Sequence, residues 1–158
     1  MQVRFGTLYP GHMAEELHAR VSARLRRVGQ RYTSGRRKLI EALARTDRPV
    51  TTAELVSAET ELPQSTTYRN LAVLEQAGVV HRVIGSDEYA RYELTEELTG
   101  HHHHHHVCIR CGAVEDFEAP QRVEKGLADA IGSFTSKTGF RAESHRLDLL
   151  GTCESCAG

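Results

Sequence analysis

Ten residues able to bind a metal ion fall in two short stretches of this sequence. Six consecutive histidines, His101 to His106, run into Cys108-Ile109-Arg110-Cys111, and a second Cys-x-x-Cys pair stands at Cys153 and Cys156. Every cysteine of the chain belongs to one of the two pairs. Four thiolates complete a tetrahedral zinc ion and leave no open position for a substrate, so Cys108, Cys111, Cys153 and Cys156 read as a structural zinc site. Two intervening residues let both sulfurs of a pair turn towards one ion. The 41 residues between Cys111 and Cys153 mean that the ion would pin the two ends of a domain together. A redox-active dithiol would instead want one pair at a helix N-terminus with a lowered thiol pKa, and nothing in the sequence supplies that.

The histidine run is internal and abuts the first cysteine pair, whereas a purification tag sits at a terminus. If the run is extended, side chains alternate: His101, His103 and His105 project to one face, and His102, His104 and His106 to the other. Each face then offers two imidazoles at i, i+2, which makes two separate metal sites on one strand. Glu124 and His145 are candidates to complete one face, His81 and Glu93 the other. His12 and His18 have no clustered partners and read as exposed surface residues. An enzyme is not expected. A zinc deaminase needs His-x-Glu with Pro-Cys-x-x-Cys, and a zincin needs His-Glu-x-x-His; the sequence has neither. A zinc hydrolase or metal-buffering protein would also have no use for the other half of the chain.

That half is basic. Residues 1–50 hold eleven Lys/Arg against four Asp/Glu, and residues 87–158 hold seven against thirteen, so the overall net charge of −1 hides a marked asymmetry. A basic N-terminal half facing phosphates fits the distribution. No apolar run approaches a membrane span and no signal peptide is visible, which points to the cytoplasm and to reduced cysteines. With 158 residues and 39% hydrophobic content, the chain can bury one ordinary core or two small ones.

Leu17, Val21, Leu25 and Val28 predict an amphipathic helix over 14–28. Ser34 can cap a second helix carrying Leu39, Ile40 and Leu43. Thr51-Thr52-Ala53-Glu54 fits a capping box that opens a third, and Pro63-Gln64-Ser65 starts a fourth with Tyr68, Leu71 and Leu74. Val79 to Ile84 and Tyr89 to Leu94, around Gly85-Ser86-Asp87, read as a hairpin. Three helices and a hairpin behind a leading helix make a winged helix-turn-helix whose reading helix runs from about Ser65 to Ala77. Further on, Ala113 to Phe117 reads as a strand, Val123 to Phe134 as a helix, and His145 to Leu150 as a last strand. The fold class is α+β: an N-terminal extension over 1–13, a winged-helix DNA-binding domain over 14–94, a hinge over 95–100, and a small α/β dimerisation and metal-binding domain over 101–158. About 60 residues make a meagre core, so a metal staple or dimerisation is physically expected of that domain.

From about Val28 onwards the chain resembles the Fur (ferric uptake regulator) superfamily. The residues that carry the resemblance are Arg31-Tyr32-Thr33 with Arg36-Arg37, Thr66-Thr67-Tyr68-Arg69-Asn70-Leu71, the histidine run with Cys108-x-x-Cys111-Gly112, and His145 ahead of Cys153-x-x-Cys156. The resemblance implies a homodimeric, metal-activated repressor of double-stranded DNA operators that are A·T-rich and palindromic. It implies that Ser65, Thr67, Tyr68 and Arg69 face the major groove and that Arg31 reaches an A·T-rich minor groove. His102, His104, Glu124 and His145 match the family's dimerisation-domain metal site, and His103 and His105 match the hinge ligands of that domain. The ending Leu150-Gly151-Thr152-Cys153 and the stretch Val123-Glu124-Lys125 look most like actinobacterial zinc uptake regulators. Those regulators carry an acid where this chain has His81 and a cysteine before the histidine run, which is missing here; iron and peroxide sensors take a hinge histidine from the place of Pro49. The hinge sensing site is therefore assembled as His81, Glu93, His103 and His105. That set suits Zn2+ as the regulatory ion and leaves Fe2+, Mn2+ or Ni2+, or a peroxide response, as the alternative. An ion bridging the two domains would fix the angle between them and the spacing of two reading helices in a dimer, and activation should weaken below roughly pH 6 as histidines protonate.

Overall fold

The computed structural model describes residues 11–58, 61–87 and 89–158, the first three of them as backbone only, so the reading of His12 lies outside the described side chains. Helix α1 (Gly11–Arg27) buries Leu17, Val21 and Leu25, one residue per turn. Helix α2 (Ser34–Leu43) is capped by Thr33 rather than Ser34: the Thr33 hydroxyl accepts from the Arg36 N–H at 3.4 Å. Strand β1 (Val50–Thr51) leads directly into α3 (Thr52–Ala58) through the predicted box. The Thr51 hydroxyl accepts from the Glu54 N–H at 3.2 Å while the Glu54 carboxylate accepts from the Thr51 N–H at 2.7 Å. Thr51→Ala is expected to lower the unfolding free energy by about 1 kcal/mol in a urea titration, the usual worth of such a cap. An unchanged midpoint would mean that the box contributes nothing.

Helix α4 (Gln64–Gln76) starts after Pro63, whose fixed φ suits a helix entry. It buries Thr67, Leu71 and Leu74, spaced four and three residues apart, and turns the residues between them outward. Strands β2 (Val80–Ile84) and β3 (Ala90–Leu94) pair antiparallel with His81 opposite Glu93, and β1 adds to the far side in the order β1-β3-β2. One apolar cluster holds α1 to α4 and this sheet together and takes in Leu98 beyond β3. The segment expected to be a hinge contains a short helix, α5 (Glu96–Thr99), unforeseen because four residues leave no periodicity to read. His18, expected at the surface, is instead half-buried, with Nδ1 2.6 Å from the Tyr32 hydroxyl and Nε2 3.5 Å from Glu41. Its place on α1, one residue after the core Leu17, tucks it under the next segment.

The second domain is built on β4 (His104–Cys108), which lies between β5 (Val114–Phe117), antiparallel, and β6 (Asp148–Gly151), parallel. Helix α6 (Gln121–Thr138) links β5 to the run into β6, and α7 (Glu154–Ala157) carries the last cysteine. The final strand opens at Asp148, so His145 sits in the extended approach to it. The domain's own core is small. Val107 and Val114 pack with Val83 of the wing, and α6 buries no residue at all. The two domains also meet where the Ser86 hydroxyl donates to the Cys108 carbonyl at 2.7 Å. Asp87, held by the buried Arg91 at 2.7 and 2.8 Å, lies so close to Gly112 that a Cβ there would sit 2.2 Å from the carboxyl carbon. Gly112 also has φ +72°, so the knuckle needs glycine on two counts. Among the described residues no helix is long and apolar enough to cross a membrane.

Candidate metal centres

Three groups of donors come together, each within 4.8 Å of one another. The first is Cys108, Cys111, Cys153 and Cys156, with no disulfide among them. The turn after β4 closes through the Gly112 N–H to the Cys108 carbonyl at 3.0 Å, and β6 delivers the second pair through the Ile109 N–H to the Gly151 carbonyl at 2.8 Å. The Cys111 and Cys153 sulfurs are 3.7 Å apart. Four sulfurs at about 2.3 Å from one zinc ion must stand about 3.8 Å from each other, so the cluster fits that ion. Backbone N–H groups of Cys153, Cys111 and Arg110 draw the Cys108 thiol down to about 6, whereas bonding to the Cys153 and Cys111 sulfurs pushes Cys156 up to about 12. Sulfurs this close cannot all ionise until a cation joins them.

The second group is His102, His104, Glu124 and His145, the four residues expected to share a site. Glu124, in the first turn of α6, stands at its centre: Nε2 of His104 at 2.6 Å, of His102 at 3.4 Å and of His145 at 3.6 Å. The His104 hydrogen bond is the main cause holding the Glu124 carboxyl below its ordinary range. Nε2 of His145 is buried without a hydrogen-bond partner, as a donor awaiting a cation would be.

The third group lies at the hinge and differs from the expected set. It contains Glu93, His103, His105 and Asp116; His81 is not among the four. Glu93 on β3 meets Nε2 of His103 at 3.1 Å and of His105 at 3.1 Å. Asp116 stands 3.6 and 3.7 Å from the same two nitrogens. His81 is exposed and lines the adjoining cavity from its place opposite Glu93. Asp116 was missed, yet β5 turns back on β4 through the cysteine knuckle, and that register sets it directly opposite His105. A hairpin read across the knuckle would have found it. Burial pushes Glu93 up, but the bonds and charges of His103 and His105 outweigh it and leave the carboxyl at about 2. The Glu93 bond raises His103 to about 9, and burial lifts Asp116 to about 6. Oδ1 of Asp116 is buried without a hydrogen-bond partner and faces Nε2 of His105, so two imidazoles and two carboxylates fit a divalent cation here also.

The face expected to read DNA is partly as foreseen. Ser65, Tyr68 and Arg69 are exposed on α4, and Arg31 is exposed on the segment before α2. Arg36 holds the Arg31 carbonyl and donates to Asn70 on α4 at 3.3 Å, which ties the two groups of residues together. Thr67 is a correction. It is fully buried with its hydroxyl 3.3 Å from the Pro63 carbonyl, because it lies on the same stripe as Leu71 and Leu74, and it cannot touch a duplex.

A winged helix-turn-helix is joined through a donor-lined segment to an α/β domain that clusters four unbridged cysteines, an arrangement suited to a metal-responsive transcription regulator. Residues 27–150 match the Ferric uptake regulator family, and the chain belongs to it. The ferric uptake regulation protein of Bacillus subtilis is 33% identical over 98 residues, 62% of each chain. The peroxide operon regulator of the same organism is 28% identical over 137 residues, 84% of this chain and 88% of its own. The solved ferric uptake regulator of Helicobacter pylori shares the fold at a TM-score of 0.73 and 20% identity, over 99% of this chain and 98% of that one. Relatives named for iron and for peroxide thus stand beside a solved zinc uptake regulator complexed with zinc and DNA, similar at a TM-score of 0.54 and 25% identity over 91% of this chain and 95% of that one.

Proposed function

We propose that this chain is a homodimeric, metal-activated repressor whose closed, operator-binding shape is locked by a divalent ion at the hinge. One observation carries the proposal: Glu93 of the winged-helix sheet meets His103, His105 and Asp116 of the second domain in a single cluster. An ion held by all four would bind the closed arrangement and not a splayed one. That difference in affinity is what moves the equilibrium, and by linkage DNA would tighten the ion by the same factor. A coupling of about 1–3 kcal/mol corresponds to about 5–150-fold in operator affinity. Tyr68, Arg69 and Ser65 would meet the major groove and Arg31 the minor groove. The dimer is supported by α6, whose Val123 and Phe134 are 36% and 55% exposed, together with exposed Phe140, Leu149 and Leu150. So large an apolar surface on so small a domain calls for a second copy. The four cysteines would hold structural zinc.

For the regulatory ion we assign zinc, since two nitrogens and two oxygens make a complete tetrahedral set for it. Asp116 favours a second reading, iron(II) or manganese(II), because a second carboxylate and no thiolate is a harder donor set than the sequence led one to expect. Titrating a labelled operator duplex with the protein in buffered zinc, iron(II) or manganese(II) separates the two. Asp116→Asn is expected to weaken ion affinity at the hinge by about 10–100-fold or more and so to remove the ion-dependent gain in operator binding at limiting ion, while His81→Ala moves either by less than about threefold; ligand loss costs at least as much as loss of an outer-sphere partner. The reverse order would return His81 to the site and remove Asp116. Operator binding indifferent to chelation and to every ion would defeat the proposal.

A further inference from the structure

Glu96 belongs to neither histidine cluster, yet it touches both. It is the first residue of α5, the short hinge helix. One carboxylate oxygen lies 2.7 Å from Nδ1 of His102, and the other accepts from the backbone N–H of His103 at 3.2 Å. An ionised carboxylate only accepts hydrogen bonds, so the Nδ1 nitrogen of His102 must carry the proton. That tautomer leaves the Nε2 lone pair free, and Nε2 is the atom that faces Glu124. The arrangement carboxylate–histidine–ligand cluster is the one by which proteins orient an imidazole for a metal and raise its basicity.

The helix that carries Glu96 is itself fixed from the other side. Arg20 of α1 donates to the carbonyls of Glu97 and Leu98, and Arg24 donates to the Thr95 hydroxyl at 3.1 Å and to the Gly78 carbonyl at the end of α4. Leu98 is buried in the core of the winged-helix domain. Glu96 therefore projects towards the second domain from a support that belongs to the first.

We propose that Glu96 is a positioning residue shared by the two histidine sites, setting the tautomer and direction of His102 and holding the His103 backbone from the DNA-binding side of the hinge. It rests on the reading of both clusters as metal sites and deepens it: the dimerisation-domain site becomes sensitive to how α5 and α1 are docked, and loading that site steadies the hinge.

Zinc affinity is to be measured on the full-length protein, with the cysteine site filled, by competition against a chelator for wild type, Glu96→Ala, Glu96→Gln and His145→Ala. The ring protonation of His102 is followed alongside by long-range nitrogen–proton correlation. Glu96→Ala is expected to weaken the Glu124-centred site by about 10–100-fold and to erase the Nδ1–H signature of His102, as loss of an outer-sphere partner does. Glu96→Gln, which keeps an acceptor oxygen, should recover a good part of both. His145→Ala removes a direct ligand and should abolish that site. Unchanged zinc affinity in Glu96→Ala, or a His102 tautomer that ignores the substitution, overturns the role of Glu96 while leaving the sites intact. Zinc bound only by the cysteines in the wild type overturns the underlying metal reading and this inference with it.

Discussion

Cys153→Ser is expected to unfold the second domain and abolish dimerisation and operator binding, while the winged-helix domain stays folded. The reason lies in how little else holds residues 101–158 together. Their own buried apolar side chains are Val107, Cys108 and Val114, and α6 buries none. Burying a valine contributes about 1.5–3 kcal/mol, whereas ordering each residue costs about 1–2 kcal/mol in backbone entropy alone. Two valines cannot offset nearly sixty ordered residues. A structural zinc ion binds with an apparent free energy of about 10–16 kcal/mol at neutral pH, and that energy is available for folding because the site does not exist in the unfolded chain. Cys153 is also the hub of the cluster: its sulfur is 3.7 Å from that of Cys111 and its N–H donates to that of Cys108. Amide exchange should show protection lost across β4, β5 and β6 and kept in α2 and α4, with the variant sedimenting as a monomer. A dimeric Cys153→Ser protein that retains chelator-resistant zinc would show that three thiolates and the dimer suffice.

How much of this was legible beforehand depended on the length of the signal. The helices with apolar residues at three- and four-residue spacing and the hairpin were readable because burial imposes their periods. The cysteine pairs were readable because a tetrahedral ion dictates the spacing within each. Face alternation in the histidine run correctly separated His102 and His104 from His103 and His105. What escaped has a common cause. Strand β1 has two residues and α5 has four, too few for any period. Asp116 reaches its site through cross-strand register, which is a pairing property and not a local one. Thr67 carries a residue type common at DNA interfaces, but the position of Leu71 four residues on had already assigned it to the core. His81 was placed at the hinge because it flanks the hairpin and stands where zinc uptake regulators carry an acid, and it does lie opposite Glu93. Sharing a sheet face brings two side chains near one another; it does not aim both at one point.

Ion binding at the hinge should strengthen with pH well beyond the range in which ordinary histidines titrate. In the metal-free protein the Glu93 bond raises His103 to about 9, and the two imidazoles in turn outweigh burial to hold Glu93 at about 2. The sign follows for each group. His103, raised above its ordinary value, stabilises the fold fully below about pH 6.5 and loses that contribution as pH climbs through about 9. Glu93, lowered, stabilises above about pH 4.5 and loses its share as pH falls towards about 2. Between those limits the pair staples the hinge with a proton where an ion would bind. A metal must displace that proton, because imidazole ligates only through a free lone pair. The logarithm of the binding constant should then rise by about one per pH unit from about pH 6 to 9 and flatten above. Below about pH 6 the slope should steepen, since burial raises Asp116 to about 6 and its proton must leave as well. The expectation from an unperturbed histidine, a weakening only below roughly pH 6, is therefore displaced upward by the Glu93 contact. Isothermal titration in buffers of different ionisation enthalpy counts the protons directly: about one released per hinge ion at pH 7.5, and clearly fewer in Glu93→Gln at ion concentrations that still fill the site, where the main partner that raises His103 is gone. A wild-type protein that takes up its hinge ion without proton release at pH 7.5 would mean that His103 is neutral there and that the staple does not form.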